Sequence, residues 1–456
     1  MTNNLTCFKS YDIRGELNIN FDGDICYRIG RAFASFLKAK KVIVGRDARE
    51  SSTSLLDCIC QGLMEEGVEV LDIGLAGTEE MYWATTQYRA SGGIEVTASH
   101  NPINFNGLKL VKSGSKPLGG AELLSIKRLA EKNLFAPFQS LGTREDISAV
   151  SKEKYVAKVL SFVNPTSFKS FKIVINCGNG AAGPTFDAIA SELSGVNSKL
   201  RFERINHEVD SSFPNGIPNP LLAENHYQNR KKVLETKADL GVAFDGDFDR
   251  CFFFDERGEF VPSQYVVGLL AEIFLIREPG ATIVHDPRVI WNIQDIISNN
   301  NGVPVVSLTG HSFVKRAMRD HCAVYGGEIS AHHYFKEFCY CDSGMIPWLL
   351  VIELMSNSGK SLSELVSVQR LKYPTSGELN FNIEQVDKTL RKVVAFYEPN
   401  CIQKDHFDGI SLSFESWRLN IRRSNTESVV RVNIESRGDP DLINRKIEEI
   451  RTIMLS

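Results

Sequence analysis

A short apolar run, a polar or glycine-rich turn and then a helical pattern recur along this chain, and that recurrence points to an α/β plan. The first case is Lys41-Val42-Ile43-Val44, followed by Gly45-Arg46-Asp47, a helical stretch over Ser52–Glu66 and a second strand over Val68–Ile73. The unit restarts at Lys172-Ile173-Val174-Ile175-Asn176 and again at Ala281-Thr282-Ile283-Val284-His285-Asp286. These restarts, roughly 110–130 residues apart, predict three consecutive α/β domains of ordinary size with mixed, largely parallel sheets. The end of the chain reads differently. Gly409–Phe414, Trp417–Ile421 and Val429–Ile434 read as strands joined by short turns, and Pro440–Met454 as a closing helix, so a small C-terminal α+β domain is expected. The expected boundaries are 1–150, 151–250, 251–367 and 368–456.

Polar clusters follow the apolar runs: Thr97 after Ile94-Glu95-Val96, Asp245 after Leu240–Phe244, and Gly310 after Val303–Val306. Open α/β sheets bind ligands at the carboxyl ends of their strands, so these clusters are expected to line a central cleft.

At 456 residues the chain is too long for one core, which agrees with several domains. Its net charge of −4 gives no overall pull toward nucleic acid or an anionic membrane, so neither is expected as a partner. Met1-Thr2-Asn3-Asn4-Leu5 lacks a charged segment followed by an apolar stretch, and no apolar run reaches membrane-spanning length; a cytoplasmic location is expected. Cys58/Cys60 and Cys339/Cys341 have one-residue gaps instead of the two-residue gap of zinc and redox sites, so the cysteines read as reduced thiols.

Asp245-Gly246-Asp247-Phe248-Asp249-Arg250 carries the clearest chemical signal. Carboxylates at i, i+2 and i+4 in a turn can meet at one hard cation. A calcium loop of the EF-hand type competes, with Glu256 at its twelfth position. However, Arg250 stands where that loop needs glycine, and strands instead of helices flank it.

Ser99 lies in Thr97-Ala98-Ser99-His100-Asn101-Pro102, a loop stiffened by proline and followed by Asn106-Gly107-Leu108-Lys109. The neighbouring His100 reads as poorly placed to be a base for it. Arg422-Arg423-Ser424-Asn425-Thr426 with Arg431 reads either as a phosphate clamp or as a basic hairpin turn. Gly327-Glu328-Ile329-Ser330-Ala331-His332-His333 offers groups suited to sugar hydroxyls, with the paired histidines as possible metal ligands. Gly178-Asn179-Gly180-Ala181-Ala182-Gly183, with Glu203 beyond it, is the literal dinucleotide pattern, which a tight strand-to-helix turn explains equally well.

Together with Tyr11-Asp12-Ile13-Arg14-Gly15, these motifs in this order resemble the α-D-phosphohexomutase superfamily, most closely its bacterial phosphomannomutase members. The resemblance implies Ser99 as a phosphoserine and Asp245, Asp247 and Asp249 as ligands of one magnesium ion per chain, with a phosphoserine oxygen as a further ligand. It implies Arg14 and Lys109 beside the reacting phosphoryl group, and His100 and His332 among the catalytic side chains. Tyr11, Arg288, His311, Glu328 and Ser330 would contact the sugar phosphate. Arg422, Ser424, Asn425, Thr426 and Arg431 would hold the phosphate that is not reacting. The implied reaction interconverts mannose 6-phosphate and mannose 1-phosphate through a hexose 1,6-bisphosphate, supplying GDP-mannose for polysaccharide. The same chemistry on glucose phosphate is the alternative, and the expected partners are small hexose phosphates, with a monomer or homodimer as the assembly. Three positions depart from the family pattern: Ser428 for a proline, Ile329 for a methionine and Arg288 for a lysine.

Overall fold

The computed structural model describes residues 4–137, 140–197, 199–383, 385–423 and 429–455. The chain divides into two compact bodies: residues up to Phe260 with His332–Leu362, and Val261–Ala331 with Ser363 onward.

The first body holds two mixed sheets. In one, Lys41–Arg46 lies between Gly92–Val96 and Glu69–Leu75, all parallel. Phe105–Lys112 then runs antiparallel to Gly92–Val96, and Ile13–Glu16 runs antiparallel to Phe105–Lys112. The inner strands are aliphatic because both faces are covered. Val42, Val44, Val70, Ile94, Val96 and Leu108 meet Ile29, Phe33, Leu55, Ile59 and Leu63 from the helices Gly23–Leu37 and Ser52–Glu65. Asp22 starts the first of these helices, its Oδ1 accepting from the Ile25 amide at 2.8 Å.

In the second sheet Phe171–Asn176 pairs in parallel with Leu200–Ile205 and Leu240–Phe244. Cys251–Phe254 returns antiparallel along Leu240–Phe244, so this sheet continues past residue 250, where the sequence reading ended the second domain. The two strands clasp the aspartate loop as a hairpin would, which rules out a helix–loop–helix calcium site.

In the second body Thr282–His285 is flanked in parallel by Val303–Val306 and Tyr325–Gly327. The C-terminal sheet is antiparallel, in the order Thr375–Asn382, Val429–Ser436, Trp417–Arg423, Ile410–Ser413, Gln403–Asp405. Its inward residues Leu419, Ile421, Val432 and Ile434 pack on Val393 of Val386–Tyr397 and on Ile443 and Ile450 of Pro440–Leu455. This is the expected α+β unit. Among the described residues no helix is long and apolar enough to cross a membrane.

Candidate active site

Ser99 follows the carboxyl end of Gly92–Val96 and is 2% exposed. Its φ of +49° is left-handed, a strained state for a side-chain-bearing residue. Two devices hold it there. Thr97 Oγ1 accepts from the Ser99 amide at 2.8 Å. Arg49, also buried, donates Nη2 to the carbonyls of Ser99 at 2.9 Å and Asn101 at 2.6 Å, and Nη1 to those of Pro102 at 2.9 Å and Phe105 at 3.0 Å. One guanidinium thus satisfies four loop carbonyls.

The aspartate loop lies directly against this serine. Ser99 Oγ donates to Asp245 Oδ2 at 2.7 Å. The backbones touch as well: a Cβ on Gly246 would stand 2.6 Å from the Ser99 carbonyl oxygen. Gly180 in turn lies against Gly246, with room for no side chain, since its Cβ would stand 2.9 Å from the Gly246 oxygen. Gly180 therefore buttresses the aspartate loop, while Gly178 packs on Pro218 and Gly183 on the His207 carbonyl, so close packing accounts for all three glycines without a dinucleotide.

Asp245, Asp247 and Asp249 are buried and bring one carboxylate oxygen each within 4.8 Å of the others. Lys109 Nζ donates to Asp247 Oδ2 at 2.7 Å and Asp249 Oδ2 at 2.5 Å. Burial would raise the Asp247 carboxyl, but Lys109 and the Thr78 hydroxyl hold it well below the usual range. Burial and then the Asp247 charge push Asp249 well above it. Asp247 Oδ1 and Asp249 Oδ1 are buried with no hydrogen-bond donor. Hard oxygen donors, excess negative charge and orphaned buried oxygens are what a divalent oxygen-seeking cation relieves, so this donor set fits one.

His100 stands closer to Ser99 than neighbouring side chains of an extended chain do, but not as its base. The positive φ of Ser99 turns the adjacent side chains together, with Ser99 Oγ and His100 Nδ1 3.0 Å apart. Arg250 Nη2 donates to that same Nδ1 at 2.5 Å. Burial, then Arg250 and Arg14, push the imidazole well below its ordinary pKa, so Nδ1 is a neutral acceptor. Arg14 is half-buried and donates to Asn101 Oδ1 at 2.5 Å and Asp12 Oδ2 at 3.3 Å; Tyr11 stands in the turn before it, also half-buried. His332 Nε2 lies 3.7 Å from Asp249 Oδ1 and 3.8 Å from Asp342 Oδ2. The sequence reading found no carboxylates for this histidine because they are 83 and 10 residues away along the chain (332 − 249 and 342 − 332). Arg49, Thr78, Arg250 and Asp342 were absent from the sequence-derived candidates.

The second body gathers a separate cluster. Asp286 follows the strand Thr282–His285, and Glu328 follows Tyr325–Gly327. Arg288 donates to Asp286 Oδ2 at 2.8 Å and Glu378 Oε2 at 3.2 Å, and lies 3.9 Å from Glu328 Oε1. Glu328 Oε1 accepts from the Gly310 amide at 2.8 Å, just ahead of His311 at the start of His311–Asp320. Ser330 follows in the half-buried turn after Glu328. Arg422 and Arg431 are cross-strand partners, and both reach Glu378, at 2.9 and 3.4 Å. Burial would raise the Glu378 carboxyl, but these three arginines hold it below the usual range. Ser424, Asn425 and Thr426 lie outside the described residues.

Models of the phosphoglucomutase/phosphomannomutase family match nearly the whole chain. The first, second and third alpha/beta/alpha domains match residues 6–137, 153–258 and 262–371, and the C-terminal domain matches 378–453. The chain belongs to the phosphoglucomutase/phosphomannomutase family. Its four-domain architecture is that of the family. A Vibrio cholerae serotype O1 phosphomannomutase is 50% identical over 457 residues, spanning 99% of this chain and 98% of that protein. An Escherichia coli phosphomannomutase is 50% identical over 454 residues, with 99% of each chain covered. The crystal structure of a family protein from Burkholderia thailandensis superposes with a TM-score of 0.86 at 28% identity, covering 99% of this chain and 97% of that one. The buried serine of the first domain and the acidic triad of the second are joined by the hydrogen bond from Ser99 to Asp245.

Proposed function

We propose that this mutase interconverts mannose 6-phosphate and mannose 1-phosphate through a phosphoserine at Ser99 and a hexose 1,6-bisphosphate, and that it supplies GDP-mannose synthesis. The observation that carries the reading is the Ser99 hydroxyl, buried and held on a strained backbone, donating to one of three aspartates fitted to a cation. Relatives named phosphomannomutase, about half identical over their full length, support the mannose assignment.

Phosphoryl transfer needs positioning and neutralised charge more than covalent machinery. In the first half-reaction the Ser99 oxygen–phosphorus bond breaks, a bond to the free sugar hydroxyl oxygen forms, and the hydroxyl proton passes to a base, a part that suits the His332 imidazole. The Ser99 oxygen takes up a proton as it leaves. In the second half-reaction it gives that proton up and bonds to the other phosphorus of the bisphosphate, whose bond to the sugar oxygen breaks, and that oxygen takes a proton back from the base. Magnesium held by Asp245, Asp247 and Asp249 would supply positive charge against the transferring group. Arg14 and Arg250 add fixed guanidinium charge, and Arg49 keeps the serine loop from recoiling. Arg288, Arg422 and Arg431 suit the phosphate that is not reacting, since guanidinium forks match phosphate oxygens. Glu328 and Ser330 suit the ring hydroxyls.

Intact-mass measurement of the purified chain tests the mechanism. A single phosphate adduct is expected, retained through turnover of mannose 1-phosphate and absent in Ser99→Ala. If the chain turns substrate over but never carries that adduct, the phosphoserine is refuted. Turnover of mannose 1-phosphate and glucose 1-phosphate side by side tests the sugar, and a preference for glucose of about tenfold, some 1.4 kcal/mol, would overturn the mannose assignment.

A further inference from the structure

The first turn of the helix Thr78–Gln87 is fastened on three sides within the first body, and each fastening uses a different residue. Thr78, Glu79 and Glu80 are consecutive and buried. Glu79 accepts from the Gly344 amide and the Tyr155 hydroxyl. Glu80 Oε1 accepts from Lys152 Nζ at 2.5 Å and Thr185 Oγ1 at 2.7 Å. Gly77, just before the turn, packs against the Phe248 ring; a Cβ there would come within 2.3 Å of it. The turn is a fixed block, and the aspartate loop rests on it.

Thr78 directs that fixity at one carboxylate. Its amide donates to the Asp247 carbonyl at 3.2 Å and its Oγ1 to Asp247 Oδ2 at 2.5 Å. Oδ2 also takes Lys109 Nζ at 2.7 Å, so two donors from different elements pin this oxygen. The other oxygen, Oδ1, is buried and has no donor. Turning the carboxylate out of this plane would break both hydrogen bonds, and a half-turn only exchanges its two equivalent oxygens, so one oxygen, here Oδ1, stays available to a cation. We propose that Thr78 is a positioning residue of the cation centre, fixing Asp247 so that Oδ1 is presented to a divalent ion. The proposal rests on the reading of the aspartate loop as a cation site. Outer partners that orient metal ligands commonly govern affinity without touching the metal.

Manganese binding to the full chain, read as loss of the free-ion electron paramagnetic resonance signal, tests this apart from activity. The arms are wild type, Asp247→Asn, Thr78→Val, Thr78→Ala and Thr78→Ser. Valine keeps the shape and loses the donor, alanine gives a second donor-free chain if valine does not fold, and serine keeps the donor. The donor-free variants are expected to bind manganese about tenfold or more weakly, and Thr78→Ser within about twofold of wild type. A folded donor-free variant that binds as wild type does, while Asp247→Asn is impaired, overturns the role of Thr78 alone. So does Thr78→Ser falling as far as Thr78→Val, because packing and not the hydroxyl would then be at work. If wild type takes up no manganese, the cation reading fails and this proposal falls with it.

Discussion

Arg250 grips Asp245 with two nitrogens, Nε at 2.9 Å and Nη2 at 2.8 Å, both on Oδ2, the oxygen that also receives the Ser99 hydroxyl. The same Nη2 reaches His100 Nδ1 at 2.5 Å. One planar side chain thus sets the orientation of an aspartate and an imidazole on either side of the serine. A lysine can place its charge there but cannot reproduce the two-nitrogen grip on Asp245. Arg250→Lys is therefore expected to lower kcat/KM by about a hundredfold, in the range of losing one preorganised charge-stabilising donor. Steady-state kinetics at saturating magnesium, on protein whose circular dichroism matches wild type, checks this. A loss of less than about threefold would remove Arg250 from the chemistry.

Backbone contact between Ser99 and Gly246 makes the next case. A methyl on Gly246 would sit 2.6 Å from the Ser99 carbonyl oxygen, so one of the two loops must shift. Overpacking of this kind costs about 1–3 kcal/mol. Gly246→Ala is expected to lower the denaturation midpoint and, by moving the aspartates off the serine, to reduce activity further than that stability loss explains. Urea titration alongside turnover measures both, and a variant with wild-type turnover would show that the contact has no part in catalysis.

How far the site could be read from the sequence follows from these distances along the chain. The three aspartates were legible because all of their spacing is local, two residues apart in one turn. The α/β repeat was legible for the same reason, each strand and helix carrying its own period. Thr78 and Asp247 are 169 positions apart, Ser99 and Asp245 146, Lys109 and Asp247 138. Nothing in one segment announces the other, and only the folded sheets bring them together. Arg49 illustrates the point: it follows a recognisable strand and turn, but its four carbonyl partners lie some fifty residues on, in a loop whose shape no local pattern specifies. His100 stands beside Ser99 although adjacency in an extended chain sends side chains to opposite sides. One left-handed residue reverses that.

Glu79 sets a pH dependence of stability. Burial, opposed by hydrogen bonds from Tyr155 and Ser343, lifts its carboxyl from an ordinary 4.5 to about 8. The folded chain therefore binds this proton more tightly than the unfolded chain. The contribution is complete below about pH 4.5 and is lost as pH rises through about 8, at no more than about 1.4 kcal/mol per pH step. Unfolding free energies of wild type and Glu79→Gln, measured by urea between about pH 5 and 8, should differ in slope. The wild-type value falls relative to the variant as pH rises. Parallel curves would mean that Glu79 is ionised throughout.

Glu378 gives the last test. It is the anion on which Arg288, Arg422 and Arg431 converge, at 3.2, 2.9 and 3.4 Å. Replacing it by glutamine keeps the shape but leaves three guanidinium groups facing one another with no charge between them. Removing one partner of a buried ion pair costs about 3–5 kcal/mol, so Glu378→Gln is expected to melt earlier than wild type. The uncompensated charge should also invite an outside anion. Ligand that binds only the folded state raises stability in proportion to RT ln(1 + [L]/Kd). Inorganic phosphate is therefore expected to raise the melting temperature of Glu378→Gln more than that of wild type, and sodium chloride at matched ionic strength is expected to do so less. Equal phosphate shifts in the two proteins would mean that the three arginines do not form a phosphate site that Glu378 fills.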